Sequence, residues 1–255
     1  MARKPRGKSS SGIYHVMFRG INKQIVFEDD DDRFNFLATL KKYKMISGYT
    51  IYGYCIMDNH VHLLIKESAE ENLSKAIQRI SSSFVLWYNK KYDRTGHLFQ
   101  GRFKSVNIED ERAFLTVLRY IHQNPLKAGL TTNVFTSKWT SIVDYLYGST
   151  LVSVDYAFKL FSSNKDNAYY LFNEYMQLSD DTYTCLNFAT INRAKDAELI
   201  ELLKRKGIVQ LSELKKLDKE QRNKIIIELK NMNGVSTRQL SRITGIPKTT
   251  ISRIH

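Results

Sequence analysis

The stretch MDNHVHLLIK, residues 57–66, sets two of the chain's six histidines at positions i and i+2. In an extended strand such side chains leave the same face, about 6.6 Å apart along the chain. Two imidazoles at that spacing can converge on one ion, which makes His60 and His62 a metal half-site. The alternative is a pair of half-exposed histidines near a hairpin end. Val61, Leu63 and Ile65 alternate with them and form an apolar face suited to packing on helices. A metal that performs chemistry needs a third donor and an open position. LRYIHQNPLKAGL, residues 118–130, offers candidates. Tyr120 and Asn124 are four residues apart, so on a helix they share a face with about 6 Å of rise between them. Asn124 can give an amide oxygen to the ion while Tyr120 holds its hydroxyl beside it. Two imidazoles and an amide oxygen form a mixed N/O set suited to Mg²⁺ or Mn²⁺ acting on phosphate, with zinc also compatible. His122 points off that face and reads as structural. Tyr88 and Tyr92 are the weaker alternative hydroxyls.

The elements around these residues can be read from pattern. IYHVMFR (13–19) suits a first strand. The acidic run Glu28–Asp32 opens a helix, with Phe34, Leu37, Leu40 and Ile46 as its apolar residues and Gly48 as its end. Residues 49–57 are aromatic and β-branched, hence strand, and Asp58-Asn59 is a turn leading into the strand 60–66. Residues 71–91 form an amphipathic helix with Leu73, Ile77, Ile80, Phe84 and Trp87 on one side. A further strand lies around 103–108, and the helix 110–123 should end near Asn124-Pro125. Strands interleaved with helices and a tight hairpin give an α+β sandwich with a mainly antiparallel sheet over residues 1–150.

The chain has 255 residues and a formal charge of +13, which favours a polyanionic partner. Residues 1–150 and 191–255 are basic; residues 151–190 between them are acidic and read as a helical linker. Two cysteines, Cys55 and Cys185, make neither a disulfide framework nor a CxxC site, so a reducing cytoplasm is the expected compartment. No apolar run approaches a bilayer span. The basic start MARKPRGKSSSG lacks an apolar segment of a secretory signal and reads as an arm able to lie along phosphates.

YHVMFRG, MDNHVHLLI, GHLFQGRFK and YIHQNPLKAGL, in this order and spacing, resemble the single-tyrosine HUH transposases. Among those, the REP-associated tyrosine transposases and their insertion-sequence relatives are the most similar, over residues 4–148. The resemblance implies a ferredoxin-like (RRM-like) sandwich, with His60 and His62 as metal ligands, Tyr120 as nucleophile and Asn124 as the helix-borne third ligand. It also implies cleavage of single-stranded DNA beside a hairpin through a 5′-phosphotyrosine link, with rejoining by the reverse step. Relatives include monomers and swapped homodimers, so the site could form within one chain or between two. In HLFQGRFK, and just before it, Arg94, Arg102 and Lys104 beside phenylalanines suit a single strand that needs charge and stacking platforms.

Residues 191–255 read as a separate all-α unit. Its last part, VSTRQLSRITGIPKTTISRI, has helix-turn-helix spacing, with Ser236 as N-cap and Pro247 opening the second helix. Lys248, Thr249, Thr250 and Arg253 fall on that second helix and could reach base edges of duplex DNA or of the hairpin stem. Two other readings remain. One is a domesticated DNA-binding regulator without strand transfer. The other is a rolling-circle replication initiator or relaxase, which usually carries a third histidine, and none lies near this pair in the sequence.

Overall fold

The structure is a computed structural model that describes residues 7–179, 196–208, 213–214, 217–232 and 235–254. It comprises two compact units, Met1–Ala189 and Thr190–His255. Residues 1–6 of the basic arm and Cys185 lie outside the described residues.

In the first unit the order is β1 (Ile13–Arg19), α1 (Asp30–Ser47), β2 (Thr50–Met57), β3 (His60–Lys66), α2 (Leu73–Lys91), β4 (Lys104–Ile108) and α3 (Glu111–Lys127). The four strands form one sheet in the order β2-β3-β1-β4, every pairing antiparallel, which is a ferredoxin-like α+β sandwich. α1 begins with a capping box between Asp29 and Asp32, and it stops at Gly48, whose positive φ of 67° completes the C-cap. One sheet face packs on α1 and α2. Phe18 meets Phe36 of α1 at a ring-centroid distance of 6.3 Å, and Phe36 meets Phe84 of α2 at 5.2 Å. Burying each such ring contributes about 1.5–3 kcal/mol.

The buried face of α1 differs from the helical pattern expected of it. Phe36 and Leu40 are buried, whereas Phe34 and Ile46 are more than half exposed. Phe34 instead lies edge-on to Trp139 at 5.1 Å, held by a second layer of chain that the spacing of apolar residues does not reveal.

α3 covers the other sheet face. It runs through Pro125 rather than stopping before it. Pro125 cannot donate to Ile121, but the Ala128 amide still donates to the Asn124 carbonyl at 3.0 Å and Leu130 to Pro125 at 2.9 Å, so the last turn closes around the missing bond. Gly53 in β2 makes the close fit possible: a Cβ there would stand 3.0 Å from Leu118 of α3.

The chain continues through α4 (Ile142–Tyr147), α5 (Asp155–Phe161) and α6 (Lys165–Gln177). Ala157, Phe172 and Met176 join the same core as the sheet, so the acidic segment adds two helices to the body of this unit. The second unit contains α7 (Asp196–Arg205), α8 (Lys219–Asn231), α9 (Thr237–Thr244) and α10 (Lys248–Arg253). Leu199, Leu203, Ile226, Leu229, Leu240 and Ile251 form its own core. Among the described residues no helix is long and apolar enough to cross a membrane.

Candidate active site

The histidine pair is delivered by a hairpin whose turn is clamped from several sides. The Asp58 carbonyl accepts hydrogen bonds from the Val26 and Phe27 amides at 2.7 and 2.9 Å, and its carboxylate pairs with Arg33. The Asn59 carbonyl accepts from the Gly20 amide at 2.9 Å. Directly opposite residues of an antiparallel pair share a face. His60 stands across from Arg19 and Met57, and His62 across from Met17 and Cys55. Both imidazoles are buried under α3, so neither is a half-exposed hairpin-end residue.

Each imidazole is oriented by a second group. His60 Nδ1 lies 2.6 Å from Asn59 Oδ1. An amide oxygen only accepts, so Nδ1 carries the proton and Nε2 keeps its lone pair. His62 Nδ1 lies 2.9 Å from His15 Nε2 on β1. His15 is the third histidine that the sequence did not place near the pair. It stands across from Leu64 and therefore reaches His62 diagonally between neighbouring strands. Burial, then the charge of Arg19, lowers the pKa of His60 to about 3, against a smaller raising effect of Asn124. Burial lowers His15 to about 3 as well. Burial, His60 and His15 together hold His62 well below its usual value. All three rings are thus neutral at physiological pH, the form that binds a metal without releasing a proton.

Tyr120 and Asn124 come to this face from α3. The Tyr120 ring centroid lies 5.6 Å from that of His62 and 5.7 Å from that of His15, all within one chain. The Asn124 side chain interacts with both the His60 imidazole and the Tyr120 phenol. Burial raises the Tyr120 pKa, partly countered by its hydrogen bond to Asn124. Lys127 Nζ sits 5.7 Å from the Tyr120 ring centroid.

These donors fit a divalent ion. Among the described residues no three His, Cys, Asp or Glu side chains are placed to hold one ion together, so a third protein donor would be the Asn124 amide oxygen. His60 Nε2 is the lone pair that the Asn59 bond leaves available, and neutral His62 is the second nitrogen.

The other candidates fall elsewhere. His122 Nε2 lies 2.7 Å from Ser141 Oγ, and its ring packs edge-on to Tyr145, away from the pair. Tyr92 donates its hydroxyl to Asp32 at 2.8 Å, and Tyr88 packs on Phe84 and Tyr92 beneath the opposite sheet face. Arg94 is half-buried; it donates to the His97 carbonyl at 3.2 Å and stacks over Tyr88, so it braces its own loop. Arg102 and Lys104 are exposed, the latter at the start of edge strand β4. In the second unit, Ser236 caps α9 by accepting from Gln239 N at 3.0 Å, and the chain turns at Gly245 into α10. Thr249, Thr250 and Arg253 are exposed on α10, and Lys248 is half-buried.

His15 and Arg19 are the site neighbours that the sequence alone did not single out. Both lie in the motif YHVMFRG, and pairing β1 with β3 in register would have found them.

Residues 8–124 match the family model described as Transposase IS200 like. That segment is similar to the IS200-like transposases. A solved structure of a REP-associated tyrosine transposase bound to a REP hairpin is similar at 17% identity and a TM-score of 0.49, covering 61% of this chain and 90% of that one. A putative transposase from Deinococcus radiodurans R1 is similar at 15% identity and a TM-score of 0.35, covering 48% of this chain and 97% of that one. No curated protein matches the chain.

Proposed function

We propose that the first unit is a metal-dependent tyrosine transposase that cuts and rejoins single-stranded DNA beside hairpins. The observation that carries this reading is the meeting of Tyr120, Asn124, His60 and His62 on one sheet face of one chain. Tyr120 Oη attacks the scissile phosphorus, forming a 5′-phosphotyrosine bond as the bond to the 3′-oxygen breaks. The phenol proton is lost and the departing 3′-oxygen gains one, so the step is balanced without an external energy source. Reversal by a 3′-hydroxyl rejoins strands. A phenol is a poor nucleophile near neutral pH, and burial makes Tyr120 poorer still. A bound Mg²⁺ or Mn²⁺ would supply charge that polarises the phosphate and stabilises the leaving oxygen. His60, His62 and Asn124 would hold it, with Asn59 and His15 keeping the two rings in place. Arg19, buried across from His60, adds a fixed positive charge for the phosphate. Arg102 and Lys104 are assigned to the single-stranded flank, with Arg94 bracing the loop beside them. Lys248, Thr249, Thr250 and Arg253 are assigned to duplex or stem through a helix-turn-helix.

The test is incubation of a hairpin oligonucleotide carrying single-stranded flanks with the protein and Mn²⁺ or Mg²⁺, followed by denaturing electrophoresis. A covalent protein–DNA adduct is expected with the wild type and none with Tyr120→Phe or in EDTA. An undiminished adduct with Tyr120→Phe would overturn the nucleophile.

One observation favours a second reading, a domesticated DNA-binding regulator: Tyr120 is only 5% exposed. That reading requires tight duplex binding and no adduct under any metal condition. A rolling-circle initiator or relaxase gains some support from His15 beside His62, and it would cut without needing a hairpin.

A further inference from the structure

At the end of β1 where Arg19 faces His60, the next side chain back, Phe18, points to the opposite side of the sheet and into a cleft of about 540 Å³. One wall is the outer side of α2, with Gln78 and Ser82 on its rim. The other is the glycine-punctuated loop 96–103, carrying His97 and Arg102. Phe18, Ile77 and Phe99 are buried at its base, and Phe103 is half-buried beside them. Their rings lie close, Phe18 being 5.4 Å from Phe99 and 6.3 Å from Phe103.

The loop is fixed to the active-site strand. The Gln100 amide donates to the Arg19 carbonyl at 2.7 Å, and the Ile21 amide to the Leu98 carbonyl at 2.9 Å. The cleft is therefore formed before any ligand arrives, and its geometry is tied to the residue across from His60. A side chain at Gly96 or Gly101 would meet nothing within 4 Å, so the loop backbone borders open space.

The chemistry of the walls selects the ligand. Among the described residues no acidic side chain lines the cleft, and Arg102 supplies a cation. An aromatic base offers a stacking surface, and amide, imidazole and hydroxyl groups at the rim can pair with polar ring edges. Volumes of this order hold a planar heterocycle with its sugar. Phosphodiester charge outside and an apolar face inside describe a nucleotide of an unpaired strand.

We propose that this cleft is a base pocket. It takes one unpaired nucleobase of the single-stranded flank, stacks it on the Phe99–Phe103 side, reads its edge with Gln78 and His97, and sets its phosphate near Arg102. The inference rests on the single-stranded DNA reading above. It goes further by giving the protein a base-contacting subsite on the side of the sheet away from Tyr120.

The experiment uses the full chain and a fluorescent hairpin oligonucleotide with oligothymidine flanks, read by anisotropy. Single abasic substitutions are walked along the flanks. The pocket predicts one position at which loss of the base weakens binding about tenfold. Ser82→Trp, an exposed position whose side chain would fill the cleft, should weaken the intact oligonucleotide by a similar factor. In that variant the abasic substitution should cost little more, because both changes remove the base from the same site. If Ser82→Trp binds as wild type, or if its effect multiplies with every abasic position, the pocket is wrong. If wild-type protein binds no single-stranded flank at all, the parent reading fails instead. Arg102→Ala separates charge from stacking: it should lower the slope of log affinity against log salt, which Ser82→Trp should leave unchanged.

Discussion

Asn59 and His15 each spend a polar atom on turning an imidazole. A ligating histidine needs its other nitrogen held so that tautomer and ring plane are set before the ion arrives. Asn59→Ala should therefore lower Mn²⁺ affinity by about 10–100-fold in isothermal titration of the full chain, while Asn59→Asp, which keeps an acceptor, should retain most of it. Equal affinity in all three proteins would remove Asn59 from that role. The sequence displayed His60 and His62 because the strand period of two puts them on one face within three residues. It displayed Tyr120 and Asn124 because the helical period does the same over one turn. It could not display His15, which is 47 positions from His62 and becomes a neighbour only once β1 and β3 pair in a particular register. Arg19 is hidden for the same reason. Arg94 shows the reverse limit, since a cation in a basic, aromatic stretch also finds an intramolecular carbonyl and ring.

α3 is held at its active-site end by the helices that follow it. Gln123, adjacent to Asn124, donates through Nε2 to the Met176 and Leu178 carbonyls at 2.8 Å each, closing the end of α6. Arg119, adjacent to Tyr120, stacks 4.2 Å over the Tyr175 ring. The neighbours of both reactive residues thus grip α6, and Gln123 is itself buried. Gln123→Leu keeps the volume but leaves two carbonyls without this donor, so it should destabilise the protein by about 1–3 kcal/mol. Thermal denaturation should show a Tm several degrees lower; an unchanged Tm would mean that α6 is held by its apolar contacts alone. Strands and helices up to residue 127 were legible because alternation, caps and turn residues agree along this stretch. Two details were not. Pro125 reads as a stop, yet a single missing donor in the final turn is tolerated when the following amides close it. The exposed Phe34 reads as core, yet it serves a contact with Trp139 that lies far along the chain.

At the scale of the molecule, two basic stretches fall in two separately packed units, Met1–Ala189 and Thr190–His255. Each has its own hydrophobic core, so each can present its cations on a rigid surface. On α10, Ile251 is buried while Thr249, Thr250 and Arg253 face solvent. The C-terminal end of that helix is tied back by Lys230, whose ammonium donates to the Ile254 carbonyl at 2.5 Å. A short helix so fixed can meet a duplex groove without being ordered by it. If the second unit supplies duplex affinity and the first the chemistry, the two should separate by substitution in the intact chain. Lys248→Ala with Arg253→Ala should weaken binding to a duplex and reduce the salt slope by about 1.8, the release expected for two phosphate contacts. Adduct formation through Tyr120 on a short oligonucleotide should stay at the wild-type level, because its donors lie entirely within the first unit. A duplex salt slope unchanged by the double substitution would move the stem-binding surface off α10. A lost adduct on the short substrate would show that cleavage itself needs α10.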